Sequence, residues 1–86
     1  MMPDDTGWPT VEELVKRLRA AGFDVSELTL STDIQGAGAV LDRAKRTLYN
    51  WHAEGKGPPR YKVGGRWRYR LVDLIDFLKN KMQDIQ

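Results

Sequence analysis

The chain has 86 residues, with 14 Lys or Arg, 12 Asp or Glu, one His and no Cys, enough for one small domain with a modest core. Disulfides and thiolate metal sites are excluded, a His-based metal centre has too few ligands, and neither a membrane-spanning run nor a signal-peptide pattern is present. The formal net charge of +2 hides a segregation: residues 1–42 carry eight acids and three bases, residues 43–70 nine bases and Glu54 alone, and residues 71–86 three acids and two bases.

Met1 to Gly7 is short of apolar residues and is expected to be flexible, as part of a 1–9 N-terminus. Thr10 and Glu13 form a T-x-x-E capping box. Val11, Leu14, Val15 and Leu18 then mark one apolar helical stripe, and Gly22 ends it; Trp8 can staple against this helix, the commoner use, or serve as a partner contact. Phe23 to Thr32 gives a thin signal, with a short strand over 28–30. Asp33 or Thr32 can cap a helix running to Ala44, although Gly36 and Gly38 each weaken it by roughly 1 kcal/mol relative to alanine. GAGAV lacks the Gly-Lys-Ser/Thr of a phosphate loop, so its small residues point to close helix packing.

The run Lys45 to Arg70 is the centre of the chain. Ala44, Leu48 and Trp51 recur at helical spacing and define a buried face, leaving Lys45, Arg46, Tyr49, Asn50 and His52 on the remainder. Gly55, Pro58 and Pro59 stop that helix. A hairpin follows, turning at Gly64-Gly65. A two-residue loop would pair Val63 with Arg66 and Lys62 with Trp67, mixing apolar and basic residues on both faces. A three-residue loop, Gly64-Gly65-Arg66, pairs Val63 with Trp67 and Tyr61 with Tyr69, and separates an apolar face from a basic one. The second register is expected on that ground, with Arg66 at the loop tip. Leu48, Trp51 and Trp67 are read as core.

Beyond the hairpin, Leu71, Leu74, Ile75, Leu78 and Met82 follow an amphipathic helical pattern that closes over the core, with 83–86 as a tail. Phe77 lies off the centre of that stripe, at the core's edge or against a neighbouring copy.

KRTLYNW, EGKGPP, KVGGRWRYR and DLIDFL, in this order between Lys45 and about Leu78, resemble the winged helix-turn-helix domain of small phage and plasmid excisionases and of MerR-type regulators. The expected fold is α+β: a winged helix-turn-helix over residues 10–82, three to four helices with a two-stranded β-hairpin wing. Residues 10–21 are favoured slightly over 33–41 as the first helix of the motif. The resemblance implies duplex DNA binding, with the 45–54 helix in the major groove and the wing on the backbone or minor groove.

Residue chemistry gives the roles. Arg46 suits guanine and Asn50 adenine, Tyr49 suits a phosphate or a stacked base, and Lys45 and Thr47 suit phosphates, Thr47 also being a possible cap. On the wing, Arg60, Lys62, Arg68 and Arg70 suit the backbone, and Arg66 a narrow minor groove. No nucleophile–base pair is present, so no enzyme activity, cofactor, metal or small-molecule ligand is expected. Resemblance and size point to an excisionase, acting in the cytoplasm of a bacterial host. It would bind adjacent sites beside copies of itself, bend DNA and direct an integrase toward excision. The alternatives are a MerR-like transcriptional regulator and a phage DNA-packaging module like a terminase small subunit.

Overall fold

The computed structural model describes residues 8–84, with side chains as far as residue 80. The expectations placed on Met1–Gly7, on residues 85–86 and on the side chain of Met82 lie outside the described residues. Helix α1 (Val11–Ala20) begins at the capping box: the Glu13 amide donates to Thr10 Oγ1 at 3.2 Å, and the Thr10 amide donates to Glu13 Oε1 at 3.0 Å. Leu14 and Leu18 of its apolar stripe are buried. Two short antiparallel strands follow, β1 (Val25–Ser26) and β2 (Ser31–Thr32), with Val25 opposite Thr32. The strand expected over 28–30 is instead part of their connection, and Leu28 at 94% exposure is solvent-facing. The polar pair Ser31 and Thr32 is what goes inside. Thr32 Oγ1 donates to the Asp24 carbonyl at 2.6 Å, which removes the cost of burying that hydroxyl.

Asp33 caps helix α2 (Ile34–Leu41), its carboxylate accepting from the Gly36 amide at 2.9 Å. The helix stops at Asp42, which takes a left-handed φ of 56°, three residues short of the expected end at Ala44. Asp42, Arg43 and Ala44 form the turn into helix α3 (Lys45–Ala53). This corrects the preference for residues 10–21 as the first helix of the motif: α2 holds that place, and α1 is an added helix. The reason lies in the glycines that had counted against α2. A Cβ on Gly38 would stand 2.7 Å from the Arg43 carbonyl oxygen, and one on Gly36 would stand 1.8 Å from Thr32 Oγ1. Absence of side chains there lets the chain fold back on α2 and lets α2 lie on β2. Thr47 is not the cap of α3, since Ala44 occupies that position with no side-chain hydrogen bond.

Strands β3 (Tyr61–Val63) and β4 (Arg66–Arg70) form the wing. Their register pairs Tyr61 with Arg68, Lys62 with Trp67 and Val63 with Arg66. The loop is therefore Gly64-Gly65 alone, and the expected three-residue loop is wrong. Both glycines have positive φ, 58° and 83°, as the two-residue hairpin turn that matches strand twist requires. The expected two-stranded wing is also enlarged. β4 pairs with β2 as well, Thr32 opposite Tyr69, giving one four-stranded sheet in the order β1-β2-β4-β3.

Helix α4 (Leu71–Asp84) leaves β4 without a loop and buries Leu71, Leu74 and Ile75 against Leu14, Leu18, Ala37, Leu41, Leu48 and Tyr69. Phe77 closes the edge of this core against Trp51, ring centroids 5.5 Å apart. Trp67, expected in the core, is 39% exposed on the wing. The architecture is an α+β winged helix-turn-helix with four helices. Gly38→Ala gains helix propensity yet presses a methyl group onto a main-chain carbonyl that cannot yield. It is expected to lose about 1–3 kcal/mol, roughly 4–8 °C of Tm per kcal/mol. A thermal melt with Tm unchanged would show the α2–α3 approach to be looser than described.

Candidate nucleic-acid interface

Helix α3 presents two faces. Leu48 is fully buried and Trp51 half-buried, so the stripe between them fixes the helix against the core. Lys45, Arg46, Tyr49 and Asn50 are exposed on the other side, Tyr49 at 51%, whereas Thr47 is half-buried on the shoulder. The first turn of α3 holds no acid and carries two cations at the positive end of the helix dipole. That arrangement costs about 0.3–1 kcal/mol per charge until an anion approaches.

The wing separates its cations by strand alternation. Trp67 and Tyr69 point to the face of the sheet that meets the helices, and Arg60 and Lys62 share it through the register. The Arg60 guanidinium lies 3.9 Å from the Trp67 ring centroid, and Lys62 Nζ lies 5.1 Å from it. Cation–π attraction of about 0.5–1 kcal/mol at such an exposed site explains why mixing basic and apolar residues on one face is tolerated. Tyr61, Val63, Arg66, Arg68 and Arg70 take the opposite face. Arg66 is exposed beside the turn.

Arg68 is committed elsewhere. Its side chain is only 14% exposed: it forms an ion pair with Asp24 and donates to Ser31 Oγ at 3.2 Å and to the Ser31 carbonyl at 3.0 Å. Arg70 donates to Asp73 Oδ2 at 2.8 Å but stays largely exposed. The ten residues singled out from sequence thus divide. Lys45, Arg46, Tyr49 and Asn50 share the open face of α3, Arg60 and Lys62 the helix-facing side of the wing, and Arg66 its end. Thr47 and Arg70 lie at the margins, and Arg68 ties the wing to the β1–β2 hairpin.

Three residues with a part in the geometry had no such part in the sequence reading. His52 Nε2 shares a hydrogen bond with the Tyr69 hydroxyl at 2.7 Å, joining α3 to β4. Tyr69 is fully buried, and burial raises its pKa although the nearby Arg60 opposes the rise. Burial, then Arg60, lowers the pKa of His52. Gly57 lies against the His52 ring, where a Cβ would come within 2.5 Å of Cε1 and Nδ1. The signal available beforehand was a tyrosine at an inward strand position, whose hydroxyl requires a partner.

The helix-turn-helix domain family matches residues 34–82, more than half of the chain and beginning at the first residue of α2. The chain is also similar to the arginine repressor of Halothermothrix orenii (strain H 168 / OCM 544 / DSM 9562), 35% identical over 75 residues. That match covers 87% of this chain and 42% of the repressor, so the chain spans less than half the length of that relative. No solved structure matches significantly.

Two outcomes follow from the geometry. The unfolded chain takes up a proton on His52 near pH 6.5, and the folded chain does so only at lower pH. Between those values the unfolded state binds more protons, so stability falls as the pH drops through that window and is level on either side of it. Denaturant titrations from pH 8 to 5 should show this slope in the wild type and not in His52→Gln. Arg68→Ala should lose about 1–3 kcal/mol of stability, because it strips buried Ser31 of a charged donor. A melt of Arg68→Ala indistinguishable from wild type would reassign that arginine to the surface.

Proposed function

The chain belongs to the helix-turn-helix domain family, and on that premise we propose that it binds duplex DNA sequence-specifically, with α3 in the major groove and the wing on the flanking backbone. One observation carries the reading. His52 of α3 meets Tyr69 on the side of the wing sheet that also carries the Arg60–Lys62–Trp67 cluster, which brings the basic helix and the wing cations next to one another. Arg46 and Asn50 are the base-reading residues, by bidentate bonds to guanine and adenine. Lys45 and Thr47 hold phosphates near the start of α3, where an anion relieves the two crowded cations, and Tyr49 holds a phosphate or stacks. Arg60 and Lys62 grip the backbone, Arg66 enters the minor groove and Arg70 reaches a phosphate at the margin. Arg68 is left out of the interface, its donors being taken by Asp24 and Ser31.

Within that class the reading is an excisionase. One helix and one wing cover too little duplex to specify a long site, a single module burying roughly 600–1,000 Å². Several copies on adjacent sites would add affinity and bend, and so assemble an integrase for excision. Similarity to the arginine repressor of H. orenii favours a second reading, a transcriptional regulator acting at an operator.

Duplexes selected from a random pool supply the test. Arg46→Ala and Asn50→Ala should each lose roughly 1–3 kcal/mol on the selected duplex and little on random DNA. Equal losses on both would mean that α3 does not read bases. Lys62→Ala should flatten the salt dependence by roughly 0.9 per lost phosphate contact, and an unchanged slope would take the wing off the DNA. A permuted-fragment mobility assay, paired with an excision assay containing the cognate integrase, separates the two readings. Bending that grows with copies, together with stimulated excision, supports the excisionase. Straight DNA bound at one site, with excision unaffected, supports the regulator.

A further inference from the structure

We infer that His52, Tyr69 and Arg60 form a strut that holds the wing at one angle to α3, so that base reading and backbone grip engage DNA as one unit. The inference rests on the DNA-binding reading for its purpose and on the free protein for its geometry.

The path is continuous. His52, in the last turn of α3, bonds the Tyr69 hydroxyl at 2.7 Å, and the two rings lie with centroids 5.6 Å apart. Tyr69 is buried in the middle of the sheet, paired with Thr32 of β2 and next to Arg68, the last residue of β4 paired to β3. Arg60 stands near this hydroxyl, and its charge opposes the rise that burial gives the Tyr69 pKa. Arg60 then lies over Trp67, on which Lys62 also rests. A displacement of α3 is thereby passed to the wing cations through four side chains rather than through the Gly55–Pro59 connection. Gly57 is the second observation. Its bare backbone leaves room for the His52 ring, since a Cβ there would come within 2.5 Å of Cε1 and Nδ1. The chain between helix and wing is thus fitted to this imidazole.

A ring held only for packing would be served equally by phenylalanine. The strut requires the hydroxyl. Tyr69→Phe fills the same volume and removes one bond, and Gly57→Ala displaces the His52 ring without touching Tyr69. His52→Gln keeps an amide able to bond the hydroxyl, and His52→Leu does not. His52, Tyr69 and Gly57 are positioning residues, and none of the three is placed against DNA.

The experiment has two independent arms. Residual dipolar couplings on the free protein measure the orientation of β3–β4 relative to α3. Tyr69→Phe, Gly57→Ala and His52→Leu should reduce or shift the wing couplings while those of α1, α2 and α4 stay put, and His52→Gln should restore the wild-type values. Unchanged wing couplings overturn the strut whatever the DNA arm gives. The second arm is a double-mutant cycle on the duplex selected by the wild type, with Arg66→Ala made alone and in Tyr69→Phe. The factor lost through Arg66→Ala should shrink at least threefold in the Tyr69→Phe background. An equal factor in both backgrounds overturns the coupling of wing to helix. Altered couplings in a protein that selects no duplex would leave the strut standing and refute the DNA-binding reading instead.

Discussion

Adjacent residues of a strand face opposite ways, and β4 has five residues in which to satisfy that rule on both sides of a sheet. Tyr69 must enter the core, and its neighbour Arg68 must then leave by the other face, where Ser31 and Asp24 receive it. The same step sends Trp67 to the helix side and Arg66 away from it. Once Tyr69 is placed, the two-residue turn at Gly64-Gly65 decides which cations face α3 and which do not. The added hairpin and the wing take their positions from this one short strand, and α3 is tied to it by the His52–Tyr69 bond.

Electrostatics sorts the basic residues into two kinds. Arg19, Lys56, Arg68 and Arg70 each have a carboxylate within ion-pair distance. Lys45, Arg46, Lys62 and Arg66 have none among the described residues, and Arg60 and Lys62 have an indole instead. The pairs of Arg19, Lys56 and Arg70 are largely exposed and add little to stability, whereas the Arg68 side chain is mostly buried; each of the four cations is engaged within the chain. A cation resting on Trp67 keeps its charge available while its side chain is already ordered, which lowers the entropy lost on contact. The excess of positive charge in residues 43–70 thus reduces, in space, to a smaller set on α3 and the turn before it, on the helix-facing side of the wing and, with Arg66, at the wing's end.

Local chemistry was readable in the sequence, and distant partners were not. The capping box of α1, the stops after α3 and the stripe of α4 stand where their residue types place them, because each is decided within a few residues. Thr47 and Trp67 show the limit of that reasoning, since period alone does not say where a strand leaves the core. Gly36 and Gly38 argue against a helix by propensity, yet their smallness is what Thr32 and the Arg43 carbonyl require. Face segregation selected the wrong hairpin register because it treated cations and aromatics as incompatible neighbours. Of the proposed interface, the open face of α3 was legible from helical period. Arg68 was not, as its partners lie 37 and 44 residues away, and neither was the His52–Tyr69 bond across 17 residues.

The added N-terminal segment alters what counts as the smallest working piece. The family match starts at residue 34, yet α1 packs on α2 and α4, and β2 covers an edge of β4. A fragment cut at that boundary would keep the helix-turn-helix and the wing in sequence. It would uncover the apolar surfaces that meet Leu14 and Leu18, orphan the Arg68 guanidinium and open a strand edge to pairing with other chains. The unit matched by family likeness and the unit that shares one packed core therefore have different first residues, and the difference is a helix and a hairpin long.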